Sequence, residues 1–244
     1  MMLNQDRYTP TLAVLDPQGR TVRSVAYCSV DSSPVAEARI NRIKFDAAGR
    51  AAAQWDPRLW ALHAQDASTP SNLENVFSLS GVLLNSRSVD AGVRINLTGD
   101  LGQVLHSWDG RGSQQHVEYD HLLRPTAVFE QASGGSESCI ARYLYGTADE
   151  LFAVRNQYGQ VVRLDSPAGT CHFSSFGVTG ALLEQHQFFL QALEPPHWPE
   201  SLSDRDDLLE SEEGATTQML FNALGELVMQ TDAQGNQQQF DHNV

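Results

Sequence analysis

Four groups of residues in this chain have types that could do chemistry. His116, Tyr119, Asp120 and His121 lie close together, as general acids and bases would. Cys171 beside His172 has the parts of a thiolate–imidazole nucleophile. Gly110-Arg111-Gly112 and Gly177-Val178-Thr179-Gly180 have the composition of phosphate-cradling loops. The acidic run from Asp204 to Glu213 has carboxylates for a cation. Each fails on spacing. Adjacent residues of a strand point to opposite faces, so the His/Tyr/Asp group is divided and Cys171 points away from His172. Neither glycine pair opens a helix after a parallel strand, and the acidic run lacks the spacing and turn glycine of a calcium loop. Asp16-Pro17 and Asp56-Pro57 read as a turn and a helix start, not as processing sites. The sequence therefore predicts no catalytic, cofactor-binding or metal-binding residue. The chain is read as a non-enzyme.

The elements that carry these residues are short and alternating. Thr11–Leu15 and Thr21–Tyr27 flank the turn Asp16-Pro17-Gln18-Gly19, and Arg39–Phe45 runs into Asp46-Ala47-Ala48-Gly49. Turn signals recur every ~8–12 residues, the rhythm of all-β architecture. Asp56-Pro57 starts a short helix or crossing loop over 56–67, and 181–193 reads as a strand running into a short helix. Asp165–Gly169 reads as a turn, residues 31–37 as a Ser/Pro loop. The expected organisation is one repeat region over 1–244. It has a weak boundary near the Gly/Ser-rich stretch 132–138 and an exposed acidic, Pro-rich loop at 194–214. A single hairpin is too small to be stable alone, so neighbours pair edge to edge into a curved sheet.

Turn and register positions follow from this pattern. They are Asp16, Gly19, Phe45, Asp46, Gly49, Tyr119, Asp120, Asn222, Gly225, Asp232, Gly235, Phe240 and Asp241. The Asp and Asn side chains are expected to accept turn N–H groups, and the glycines to supply φ > 0. Phe45, Tyr119 and Phe240 are expected to stack on aromatics of neighbouring repeats. Arg20, Arg50 and Arg124 follow the turns and pair with their carboxylates.

Composition bounds the partners. The net charge of −14 repels nucleic-acid backbones and anionic membranes. No apolar run approaches the ~20 residues that cross a bilayer. Met1 to Pro10 lacks a basic-then-apolar signal pattern, so the chain is expected to be made in the cytoplasm, with export by a signal-independent route left open. Cys28, Cys139 and Cys171 form neither a metal spacing nor a disulfide framework.

The Tyr/Phe-Asp-x-x-Gly-Arg rhythm resembles the YD repeats of bacterial RHS proteins. The ordered series Pro10–Arg23, Ala38–Arg50, Trp55–Leu59, Ser78–Leu84 with Ser88–Gly92, Tyr119–Pro125 and Phe221–Asp241 is similar to the N-terminal part of the C subunit of insecticidal toxin complexes. The resemblance implies a virulence-related β-sheet wall that joins a B-type subunit, or further repeats, by strand-edge pairing. Such a wall encapsulates an unfolded toxin and leaves the cell in the complex. The self-cleaving core and toxin region of that family have no matching positions here, so Asp16, Asp46, Asp56 and Asp165 take no autoprotease role. Open strand edges predict self-association of the isolated chain. The alternative reading is a stand-alone β-repeat module that binds a carbohydrate or protein through exposed Trp60, Trp108 and Trp198.

Overall fold

The computed structural model describes residues 9–29, 36–210 and 214–242. The chain is all-β and built from antiparallel hairpins in sequence order, in two compact units, 1–113 and 114–244. Unit 1 holds β1 (Thr11–Leu15), β2 (Thr21–Cys28), β3 (Glu37–Phe45), β4 (Ala51–Trp55), β5 (Leu73–Phe77), β6 (Leu83–Ser88), β7 (Gly92–Thr98) and β8 (Val104–Asp109). Each pairs antiparallel with the strand before it. Its helix α1 (Pro57–His63) is capped by Asp56, whose side chain accepts the Leu59 N–H at 2.9 Å, with Pro57 at the first turn.

Unit 2 holds β9 (Gln114–Tyr119), β10 (Pro125–Gln131), β11 (Ser138–Tyr145), β12 (Val161–Ser166), β13 (Gly169–Phe176), β14 (Leu182–Phe188), β15 (Ala215–Phe221), β16 (Leu227–Thr231) and β17 (Gln237–Gln239). These also pair antiparallel in order. Two short helices, α2 (Glu150–Ala153) and α3 (Leu202–Asp206), sit in its connections.

Most hairpins share one turn. In the first, Asp16 N–H donates to Arg20 O and Gly19 N–H to Asp16 O, both at 2.9 Å. The pattern recurs at Asp46, Ser78, Gly99, Asp109, Asp120, Gly177, Asn222 and Asp232. The fourth turn residue lies at positive φ (Gly19 +78°, Gly49 +82°), and the ladder shifts register beside the turn, at Val14/Leu15 and Lys44/Phe45. This is a three-residue hairpin loop with a glycine bulge, the form whose twist suits antiparallel strands.

Several expectations need correction. Stretch 132–138 holds a tight turn between β10 and β11, in which Gly135 N–H donates to Ala132 O at 2.9 Å, and the compact units divide at 113/114. Asp165 and Ser166 belong to β12, so that turn is shorter than expected. The helix expected within 181–193 does not form: β14 ends at Phe188, and Leu190 then bridges Leu209 antiparallel. Segment 194–214 is not simply exposed, since Trp198 is fully buried and Arg205 and Leu209 are buried. Much of the 31–37 loop lies outside the described residues.

Among the described residues the cluster of buried core side chains is small and lies in unit 2. Ala127, Cys139, Trp198 and Leu209 form it, flanked by Phe129, Phe188, Leu190 and Leu208. A thin sheet has little interior, so a segment that folds over one face supplies the burial.

Candidate functional site

Two constructions are candidates for function: a ladder of turns, and a strap of residues 189–210 laid over unit 2.

In the ladder an aspartate that opens a turn does double work. Asp16 Oδ1 accepts N–H groups of Gln18 and Arg20 at 2.8 and 3.0 Å, and its Oδ2 accepts Arg20 Nε–H at 2.7 Å. Asp46 with Arg50 and Asp120 with Arg124 repeat this arrangement. At Asn222 and Asp232 the fifth residue is Glu226 or Asn236, which bonds the cap in place of arginine. The carboxylates of Asp16, Asp46, Asp120 and Asp232 are shifted below the usual range. At Asp16 the Arg20 side chain is the main cause, at Asp46 the Arg50 N–H, and at Asp232 the Asn236 side chain. At Asp120 burial opposes the shift, and the bonds from Arg124 and Leu122 overcome it. A depressed carboxylate contributes stability above its unfolded pKa, about 4, and loses it as pH falls through the folded value.

The arginines then reach the next turn on the same end of the sheet. Arg20 lies over the Phe45 ring at 4.6 Å, Arg50 over Phe77 at 5.1 Å and Arg124 over Tyr145 at 4.1 Å. Arg50 Nη1 donates to Ser78 O at 2.6 Å. Gly49 makes room for the contact, because a Cβ there would come within 2.5 Å of Arg20 Nη1. Phe45 thus meets a guanidinium where sequence reading expected another ring. Leu123 occupies the glycine slot of the Asp120 turn at φ +59°. Burial raises the Tyr119 hydroxyl above its usual pKa. Gly225 and Gly235 lie at φ +81° and +82°. Phe240 N–H donates to Val228 O at 3.0 Å, and the residues after Asp241 that would complete its turn lie largely outside the described residues.

The strap is held by polar bonds around one buried aromatic. Trp198 N–H donates to Cys139 O at 2.9 Å, Cys139 N–H donates to His197 Nδ1 at 3.0 Å, and Arg142 Nε–H donates to Trp198 O at 3.0 Å. Asp165, with no exposed surface, accepts Arg163 Nε–H at 2.7 Å, Arg205 Nη1–H at 2.7 Å and Thr170 Oγ1–H at 2.6 Å. Arg163 also donates to Asp206 at 2.6 Å. This charge cluster joins β12 to α3 across some forty residues of sequence, 165 to 205. Sequence reading missed it. The available signal was a pair of opposite charges, Arg163 and Asp165, two residues apart on one face of β12, among Val161, Val162 and Leu164.

The proposed chemical groups do not assemble. His116 stacks on Phe129 at 4.5 Å and pairs with Glu137 at 3.1 Å, while Asp120 caps its turn. Cys171 Sγ faces Gln185 Oε1 at 3.9 Å, and burial raises its thiol. Among the described residues, no group of three His, Cys, Asp or Glu could hold a metal. Of the three tryptophans, Trp198 is buried and unavailable as a binding platform. Trp60 packs with Trp55 and His63, and Trp108 stacks on His106 at 5.6 Å.

No family model matches the sequence. The chain is 31% identical over 242 residues to toxin subunit YenC1 of Yersinia entomophaga and 26% identical over 256 residues to toxin subunit YenC2 of the same organism. It is similar to solved structures of TcdB2-TccC3 with Cdc42, with TM-score 0.87 and 27% identity over 95% of this chain. For TcdB2-TccC3 without the hypervariable C-terminal region the TM-score is 0.88, with 26% identity over 96%. The Photorhabdus luminescens Tc holotoxin pore gives TM-score 0.87 and 27% identity. The chain is homologous to toxin-complex C subunits. It spans about a quarter of the length of those curated relatives, matching 25% and 26% of them, and 11% of the solved chains. As a C-subunit homologue it shares their all-β hairpin fold. Among the described residues no helix is long and apolar enough to cross a membrane.

Proposed function

We propose that this chain is a wall segment of a shell that encloses a toxin polypeptide, acting without catalysis as part of a toxin-complex C subunit. One observation carries the reading. Cross-strand register puts Val76, Ile95 and Trp108 in one row through Asn85, and Leu97, two residues beyond Ile95, lies on the same sheet face. All four are exposed, from 36% for Trp108 to 56% for Val76. An apolar face of this extent suits contact with polypeptide rather than water. The edge strands support joining: all five residues of β1 and all three of β17 are exposed. Such edges pair with a B-type subunit or with further repeats, and in their absence with another copy of the chain. The wall travels with an exported toxin complex.

The test is co-expression with a B-type toxin-complex subunit, followed by gel filtration. Co-elution is expected. No complex at micromolar concentration overturns the wall reading.

A further inference from the structure

We propose that one margin of unit 2 is a self-association surface, closed by a second copy of this chain through the aliphatic side chains at its hairpin tips. This does not depend on the wall reading.

The connections β9–β10, β11–β12, β13–β14 and β15–β16 each leave an odd-numbered strand and enter an even-numbered one. In an antiparallel series they therefore share one margin of the unit. Each presents aliphatic side chains to water. They are Leu122, Leu151 with Val154, Val178 and Leu224, from 61% exposed at Leu122 to 96% at Val178. The other margin differs. Its tight turns carry Ser133-Gly134, Pro167-Ala168 and Ala233-Gln234 at their tips. Its long connection, the strap, exposes Leu193.

The turns do not need these leucines. Leu122 and Leu224 hold the third place of their turns, where the backbone N–H donates to the side chain of Asp120 or Asn222 at 2.9 Å. Gln18, Ala48, Arg111 and Gln234 hold the same place in other turns and make the same bond. The side chain there meets no demand of the turn, and polar residues fill such tips well. A leucine at this place gains no burial from its own fold, so its burial comes from outside the chain.

The frame behind the tips is tied together. Arg124 lies over the Tyr145 ring at 4.1 Å, which links the first connection to the second. Phe176 N–H donates to Arg155 O at 3.0 Å, and Asn156 Nδ2–H to Phe176 O at 2.9 Å, which link the second to the third. Association therefore orders little that is loose.

The spacing and the area point to a like margin as the occupant. Connections on one margin recur every two strands, about 10 Å apart. The gap between neighbouring tips is wide enough for one aliphatic side chain. A second copy repeats at the same interval, so two margins related by a two-fold axis fit tip into gap. Five side chains offer roughly 100 Å² each, about 500 Å² per copy and about 1,000 Å² for the pair, the lower limit for a specific interface. The dimer is therefore weak and depends on concentration. The net charge of −14 disfavours an anionic membrane in the same place. Strand edges offer copies another route, but pairing β1 to β17 runs head to tail and does not close, whereas two facing margins do.

Sedimentation velocity on the whole chain separates the two routes. Val14→Lys with Gln238→Lys blunts both edge strands. This edge-blocked chain is expected to pass from one copy to two between about 1 and about 100 µM. Adding Leu122→Gln, Val178→Thr and Leu224→Gln should weaken the dimer at least about tenfold, and Leu224→Gln alone about threefold. Gln18 and Gln234 show that the turn accepts glutamine, and an unchanged circular dichroism spectrum checks that each variant folds. An edge-blocked chain that stays monomeric at about 100 µM overturns the proposal. So does a dimer as tight in the tip variants as in their parent. A monomer that floats with neutral phosphatidylcholine vesicles until the tips are changed also overturns it, by making lipid the occupant.

Discussion

The turn ladder and the strap both use Asp–Arg pairs, at opposite ends of the range of burial and sequence distance. Asp16 and Arg20 are four residues apart, with side chains 14% and 30% exposed. Asp165 and Arg205 are forty residues apart, with side chains 0% and 9% exposed. In the ladder, the ion pair supports a turn whose backbone pattern already specifies its shape, and water screens the charges. Under the strap, burial removes that screening, so each charge depends on its partner. The same residue pair thus serves local register in one place and long-range docking in the other.

The sharpest way to break this comparison is to neutralise one carboxylate in each region. Asp165→Asn leaves Arg163 and Arg205 short of their buried counter-charge and is expected to cost about 3–5 kcal/mol. Asp16→Asn should leave the denaturation midpoint nearly unmoved. Chemical unfolding followed by circular dichroism checks both, and equal effects would end the distinction. A smaller effect is expected at the turn glycines. Gly49→Ala forces a Cβ to positive φ and into Arg20, at a cost of about 1–3 kcal/mol. Gly19→Ala meets nothing within 4 Å and bears the conformational strain alone, so its loss should be the smaller. The smallest change has the opposite sign. Leu123→Gly relieves a left-handed leucine in the Asp120 turn and should raise stability by up to about 1 kcal/mol, less the added freedom of the unfolded chain. A thermal melt with a lower midpoint would show that Leu123 contributes more by packing than it loses in strain.

Local chemistry was legible in the sequence, and long-range chemistry was not. Asp16-Pro17-Gln18-Gly19 and Asp46-Ala47-Ala48-Gly49 announce their turns because cap, glycine and bulge lie within five residues. The α1 start was legible for the same reason, with cap and proline adjacent. Arg20 over Phe45 was not, because it depends on which strands become neighbours. The strap misled most. Its prolines and carboxylates read as a solvated loop, while the few residues that dock it, Trp198, Arg205 and Leu209, are scattered without period among them. Their burial is imposed by β10–β13, and no local pattern reports it.

The contact between successive turns has a consequence for how such a chain can grow. Arg20 lies over Phe45 and beside Gly49, and Arg50 repeats the reach to Phe77 and Ser78, so the link advances two strands at a time. Inserting a single strand would send the next loop to the far margin, beyond the guanidinium. Only gain or loss of a whole hairpin would preserve this link. The link stops where Val82 follows the Ser78 turn in the arginine's place.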